Sequence, residues 1–168
     1  MLLTTHVSTS ILICQGLNNP WLAFFIGLVM HYLLDMIPHG DHIKNKREYL
    51  LSDFSAYKDN KGELRQFRII PPIDVVLASL LIIYLYISGQ FGNPDIVIPG
   101  IIGGILPDII MLINIITNRI WLVRKINWFH LKIHTIIKDI PLAWAISGQA
   151  VYNVLVLYIL FFIHGAVV

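Results

Sequence analysis

Residues Ile140–Ile163 read IPLAWAISGQAVYNVLVLYILFFI, with no Asp, Glu, Lys or Arg anywhere in the run. A helix that crosses a bilayer needs roughly 20 such residues. Four more apolar runs precede it, at about 2–17, 20–38, 72–90 and 95–117, and the last stretch extends over about 140–164. The first is short and carries Thr4, His6, Ser8, Thr9 and Ser10. Of 168 residues, 57% are hydrophobic and 13% charged, against about 25% charged in a soluble domain. Mean hydropathy is +0.73. Too little polar surface exists to cover an ordinary soluble globule. The same composition excludes a disordered chain, a collagen-like chain and a basic nucleic-acid-binding module, so no nucleic-acid partner is expected. The expected fold class is all-α: a polytopic membrane helical bundle with about five transmembrane helices. Residues 1–168 form a single integral membrane domain on this reading.

The net charge of +2 carries little information, but its placement carries more. All 12 Lys and Arg fall in two segments, Lys44 to Arg68 and Arg119 to Lys138. Cytoplasmic loops collect Lys and Arg. Two apolar runs separate the basic segments, so both can lie on one side, with the uncharged links near Leu17–Pro20 and Ser88–Pro94 on the other. This predicts a cytoplasmic N-terminus and cytoplasmic polar segments at about 39–71 and 118–139. The expected location is a prokaryotic cytoplasmic (inner) membrane. No basic region precedes the first apolar stretch and no small-residue cleavage site follows it, so no secretory signal is expected.

Asn18-Asn19 before Pro20 predicts a tight turn, making the first two helices a hairpin. Pro71-Pro72 is expected to open the third helix in the same way, and Gly92-Asn93-Pro94 to lead into the fourth. Gly100 and Gly104 have the GxxxG spacing that lets another helix approach closely, here expected within the monomer rather than in a dimer. The polar block from Lys44 to Arg68 reads as a short surface helix, with Tyr49, Leu50, Phe54 and Tyr57 on its apolar stripe, or equally as a solvated loop. A turn at Asp59-Asn60-Lys61-Gly62 follows. The single Cys14 makes no internal disulfide and is expected to pack.

Ionisable residues in membrane helices are costly and are functional candidates by default. Here they are His6, His31, Asp35, Asp74 and Asp108, with His39, Asp41, His42, His130, His134 and Asp139 close by in sequence. The topology allows all of them to converge on one membrane face. His31, Asp35 and His39 are spaced four apart, so they share a helix face, and His130 and His134 repeat that spacing. Two ligands one turn apart can reach one metal ion, and imidazole with carboxylate suits zinc, or manganese or iron. Simpler roles compete. His31 and Asp35 can satisfy each other as a hydrogen-bonded pair, and His130 and His134 can be interfacial. Asp74 and Asp139 each suit a helix start, where a carboxylate complements the dipole. Asp108, after Pro107 and deep in an apolar run, has no such simple role.

The opening Thr5-His6, the segment His31-Tyr32-Leu33-Leu34-Asp35-Met36-Ile37-Pro38-His39 and Leu106-Pro107-Asp108 resemble the membrane-bound metal-dependent hydrolase family and, more distantly, the zinc-dependent phospholipase C group. The resemblance implies a helical fold and a metal site with His6, His31, Asp35, His39 and Asp108 as ligands, and His130 and His134 as a later pair. In that membrane family Pro-Asp usually precedes the His-x-x-x-Asp helix, whereas here it follows. The late pair here is His-x-x-x-His rather than the His-x-x-x-Glu of the phospholipase group.

The function expected is that of a membrane-embedded metal-dependent hydrolase. A metal-activated water would attack a phosphoester or similar bond, with Asp41 or Asp139 as catalytic general base. Nearby Lys and Arg would attract an anionic lipid headgroup, so membrane lipids are the expected partners and a lipid phosphoester the expected substrate. The alternative is a non-catalytic membrane scaffold or sensor, with a structural His/Asp metal site or polar network. A cation or proton pathway would need polar groups in both halves of the bilayer, and the outer half holds only Asp95 and His164.

Overall fold

Asn19 and Pro20 set the first corner. The Asn19 side-chain oxygen accepts from the N–H groups of Trp21 at 2.9 Å and Leu22 at 3.1 Å, satisfying two donors that a helix start leaves orphaned. Pro20 has no such donor to satisfy. A computed structural model of the chain describes residues 2–37, 39–40, 61–117, 120–133, 136–137 and 142–165. From the corner, α1 (Leu3–Cys14) and α2 (Pro20–Met36) run as the expected hairpin. The chain continues through β1 (His39–Gly40), α3 (Lys61–Ile87), α4 (Pro94–Thr117), α5 (Trp121–Ile133), β2 (Ile136–Ile137) and α6 (Leu142–Gly165). The two short strands pair in parallel, His39 with Ile136 and Gly40 with Ile137. The architecture is otherwise all-α.

The start of α3 differs from expectation. Rather than opening at Pro71-Pro72, α3 begins at Lys61 and continues through both prolines. Each proline removes one helical N–H, but its fixed φ remains compatible with a helix. The turn expected at residues 59–62 therefore gives way to helix from Lys61. The surface helix considered for Lys44–Arg68 lies, up to residue 60, outside the described residues. The second basic segment, read as a polar stretch, contains the strongly amphipathic α5.

Glycines on α4 and α2 let three helices meet closely. A Cβ on Gly27 would collide with the Gly100 carbonyl, and one on Gly103 with the Phe24 carbonyl. Cβ atoms on Gly100 and Gly104 would meet Cys14 Sγ and Ser10 Oγ of α1. The Gly100/Gly104 spacing thus serves packing inside the monomer, and Cys14 is buried in that packing. Val7, Ile11, Ala23, Leu85, Phe91, Val97 and Leu160 join one apolar core.

α1 packs against α2, α3, α4 and α6. Its buried positions include Thr5, His6, Ser8, Thr9 and Ser10. Ser8 Oγ donates to Asn153 Oδ1 at 2.6 Å, Asn153 Nδ2 donates to Thr5 Oγ1 at 3.0 Å, and the Thr9 and Tyr152 hydroxyls lie 2.9 Å apart. The polarity that makes α1 a poor span on composition is what joins it to α6. On the outside the pattern reverses. Ile73, Val76, Leu77, Leu80, Ile83 and Ile87 of α3 are exposed, as are Val151, Val154, Leu155, Tyr158 and Phe162 of α6. Soluble monomers rarely expose apolar surface on that scale.

Among the described residues two stretches, Ile69–Ile87 and Pro94–Asn114, are long and apolar enough to cross a membrane. Three more apolar helices are shorter: Leu3–Cys14, Pro20–Met36 and Ile146–Phe162. At about 1.5 Å per residue, α1 is too short to cross a hydrocarbon layer about 30 Å thick.

Candidate metal centre

Three helices deliver the first part of the cluster. His6 lies in the first turns of α1, His31 and Asp35 one turn apart on α2, and Asp108 directly after Pro107 on α4. The glycine-mediated approach of these helices draws the four side chains together. α5 then supplies His130 from its inward face, on which Asn127 is also buried.

Asp35 is the hub. One of its carboxylate oxygens, Oδ2, lies 2.9 Å from His130 Nε2, which donates to it, and 3.2 Å from His31 Nε2. The other, Oδ1, lies 3.5 Å from His6 Nε2. His31 Nε2 is also 3.9 Å from Asp108 Oδ1. The His6 and His31 rings stack, with centroids 4.0 Å apart, and the His130 ring meets His31 edge to face at 5.0 Å. His6, His31, Asp35 and His130 are all buried, whereas the Asp108 side chain is 24% exposed. The cluster therefore reaches the molecular surface at Asp108.

The hydrogen bond of His31 decides what its ring offers. Nδ1 lies 2.6 Å from the Gly104 carbonyl oxygen. A carbonyl only accepts, so Nδ1 carries the proton, and in the neutral ring Nε2 presents a lone pair. That lone pair faces the carboxylates of Asp35 and Asp108. Acceptors facing one another in a buried site need a cation or a further proton between them. An Nδ1–H donated to a backbone carbonyl is the arrangement by which metal-ligating histidines are oriented. His6 Nδ1 also lacks a hydrogen-bond partner among the described residues, and its Nε2 makes only the long approach to Asp35. The donor set thus fits a divalent cation. Among the described residues two groups could hold one: His6, His31 and Asp108, and His31, Asp35 and His130, with the ligand atoms in each within 4.8 Å of one another.

Of the residues singled out in the sequence, the structure brings together His6, His31, Asp35, Asp108 and His130. It gives His39 a backbone position in β1, alongside Ile136, while its side chain lies outside the described residues, as do His134, Asp41 and Asp139. Asp74 is elsewhere. Its carboxylate accepts from Leu3 N, from Thr4 N at 3.1 Å and from the Thr4 hydroxyl. It complements a helix N-terminus, as the dipole argument expected, but the helix is α1 rather than its own.

Two contributors left no signal in the sequence. The Gly104 carbonyl acts through its backbone, so only the glycine spacing hinted at a close approach there. Tyr32 sits edge-on to both His31 and His130, with centroids 5.6 and 5.9 Å away, and walls the cluster on one side. The chain matches no protein-family model, no curated protein and no solved structure.

Proposed function

We propose that this chain is a membrane-embedded metal-dependent hydrolase, with its site near one membrane face and a phosphoester, such as a lipid headgroup, as substrate. The observation that carries the reading is the His31 ring, committed through Nδ1 to Gly104 and directing Nε2 at two carboxylates. The resemblance of His6, His31, Asp35, His39 and Pro107-Asp108 to the membrane-bound metal-dependent hydrolase family supports the same conclusion.

The membrane reading rests on the exposed apolar faces of α3 and α6 and on the position of the tryptophans. Trp21 is exposed at one end of the bundle, and Trp121, Trp128 and Trp144 are exposed towards the other, as interfacial aromatics are in bilayers. In the five-helix arrangement α1 needs no full span, because its neighbours enclose it. The basic segments put the cluster on the cytoplasmic side by the positive-inside rule.

His6, His31, Asp35, Asp108 and His130 would hold the cation, with zinc the best match to imidazole and carboxylate donors. A divalent cation there supplies Lewis acidity at neutral pH. Asp35 supplies the negative charge shared by three imidazoles, and Gly104 fixes the His31 tautomer. Asp108, at the surface, is the group nearest an approaching substrate. Asp41 and Asp139 remain the candidates for general base. A closed polar network without catalysis is the second reading, and the direct His130–Asp35 hydrogen bond favours it, because that pair satisfies itself without metal. Hydrolysis of a phosphoester panel by detergent-purified, zinc-supplemented protein separates the two. Activity lost with chelator, and in His31→Ala and Asp108→Ala, is the expected result. Equal activity in those variants and the parent would assign any hydrolysis to a contaminant and leave the network.

A further inference from the structure

α5 has two faces with different tasks. Val123, Asn127 and His130 recur at helical spacing on the side turned to the bundle, and the latter two are buried. On the opposite side Trp121, Lys125, Trp128 and Lys132 recur at i, i+4, i+7 and i+11, which makes one stripe. Trp121 is 64% exposed and Trp128 48%. Lys125 Nζ lies 5.9 Å from the Trp121 ring centroid and Lys132 Nζ 4.9 Å from that of Trp128. Leu122 and Phe129 widen the apolar part of this face, and Arg124 adds a third cation beside it. No acidic residue occurs between Trp121 and Ile133.

Alternating Trp and Lys on one exposed stripe is poorly suited to water alone and to hydrocarbon alone. It suits the boundary between them: indole rings and Phe129 in the acyl boundary, with ammonium groups reaching out to headgroup level. With three cations and no acidic residue on α5 itself, the face complements negative charge. We infer that α5 is an interfacial helix that gathers anionic lipid headgroups along its Trp121–Lys132 face. This rests on the membrane placement in the proposed function, not on the metal. Because His130 projects from the other face, headgroups gathered by α5 lie one helix diameter from the cluster. An anionic lipid is thereby concentrated beside the site.

The test uses the full chain with Trp21→Phe and Trp144→Phe, so that the two indoles of α5 report alone. It is reconstituted in nanodiscs of phosphatidylcholine and phosphatidylglycerol, one lipid or the other carrying dibrominated chains. At equal mole fraction, brominated phosphatidylglycerol should quench more than brominated phosphatidylcholine, by about twofold or more. The preference should disappear in Arg124→Gln/Lys125→Gln/Lys132→Gln and shrink in the parent at about 0.5 M salt. Equal quenching by both lipids in the parent would overturn the inference and leave this face to an acidic protein partner. A preference indifferent to salt would overturn it too, and that arm needs no variant to fold. Metal content of the same samples keeps the two ideas apart. Lipid preference without metal sustains the interfacial helix and removes the metal centre, whereas metal without lipid preference does the reverse.

Discussion

Asp35 and Asp74 are both buried carboxylates on helices of mostly apolar sequence, yet different groups compensate them. Asp74 meets backbone N–H groups and a hydroxyl at the start of α1. Those donors belong to a helix end that would otherwise leave them orphaned, so carboxylate and helix start complete each other. Asp35 meets three imidazoles, with Asp108 close by. Imidazoles give up or take a proton readily and bind metals through the same nitrogen. A carboxylate fastened to fixed donors holds a fold together. One surrounded by imidazoles, whose nitrogens offer either a proton or a lone pair, is equipped to hold a cation.

The largest separation between the two should come from substituting each in turn. Asp35→Ala is expected to weaken zinc binding by more than about 100-fold, since it removes a ligand rather than an outer partner. Isothermal titration in detergent would measure this. Asp74→Ala should leave zinc affinity within about tenfold of the parent, because His6 shifts only as far as the start of α1 loosens. It should nevertheless lower unfolding stability by about 1–3 kcal/mol, the cost of leaving buried donors unpaired, read as a drop in Tm. If Asp74→Ala lost metal as completely as Asp35→Ala, the division between holding the fold and holding the cation would fail.

A second variant disturbs the interhelical approach and no ionisable group. Gly27→Val forces α2 away from the Gly100 carbonyl, at an overpacking cost of about 1–3 kcal/mol. Zinc affinity should fall because His31 and Asp35 move relative to Asp108, while the Asp74 contacts between α1 and α3 persist. Retained affinity with lowered Tm would show that the close approach matters for packing alone. The smallest effect concerns pH. Protons compete with metal for the imidazoles, so zinc affinity should decline as pH falls from about 7.5 to 6. Zinc affinity flat across that range would contradict a site in which His31 must give up a proton to bind the metal.

Much of the candidate site could be read from sequence because its parts are local. His31 and Asp35 share a helix face by spacing alone, and Pro107-Asp108 stands out in an apolar run. His6 was conspicuous for the same reason. What sequence could not supply were partners without a local signature. The acceptor for His31 is a backbone carbonyl on another helix, and the donors to Asp74 lie about seventy positions away in the chain. The helix boundary hardest to read was that of α3, whose first turns carry Lys61, Glu63, Arg65 and Arg68 and so read as a polar segment, with Pro71-Pro72 as the strongest mark of a helix start; it marked the wrong place. In α1 the polar residues argued against a span, and that was informative: they face inward, to α6 and the cluster. α5 gave a mixed lesson, since its basic residues advertised a surface segment while the candidate ligand His130 lies on its buried side.

The decisive measurement is the metal content, by elemental analysis, of protein purified in detergent without chelator, beside Asp35→Asn and Asp74→Asn. A stoichiometric transition metal in the parent and in Asp74→Asn, lost in Asp35→Asn, is the expected result. No metal in a folded parent sample, or equal metal in all three proteins, would contradict a metal centre built around Asp35.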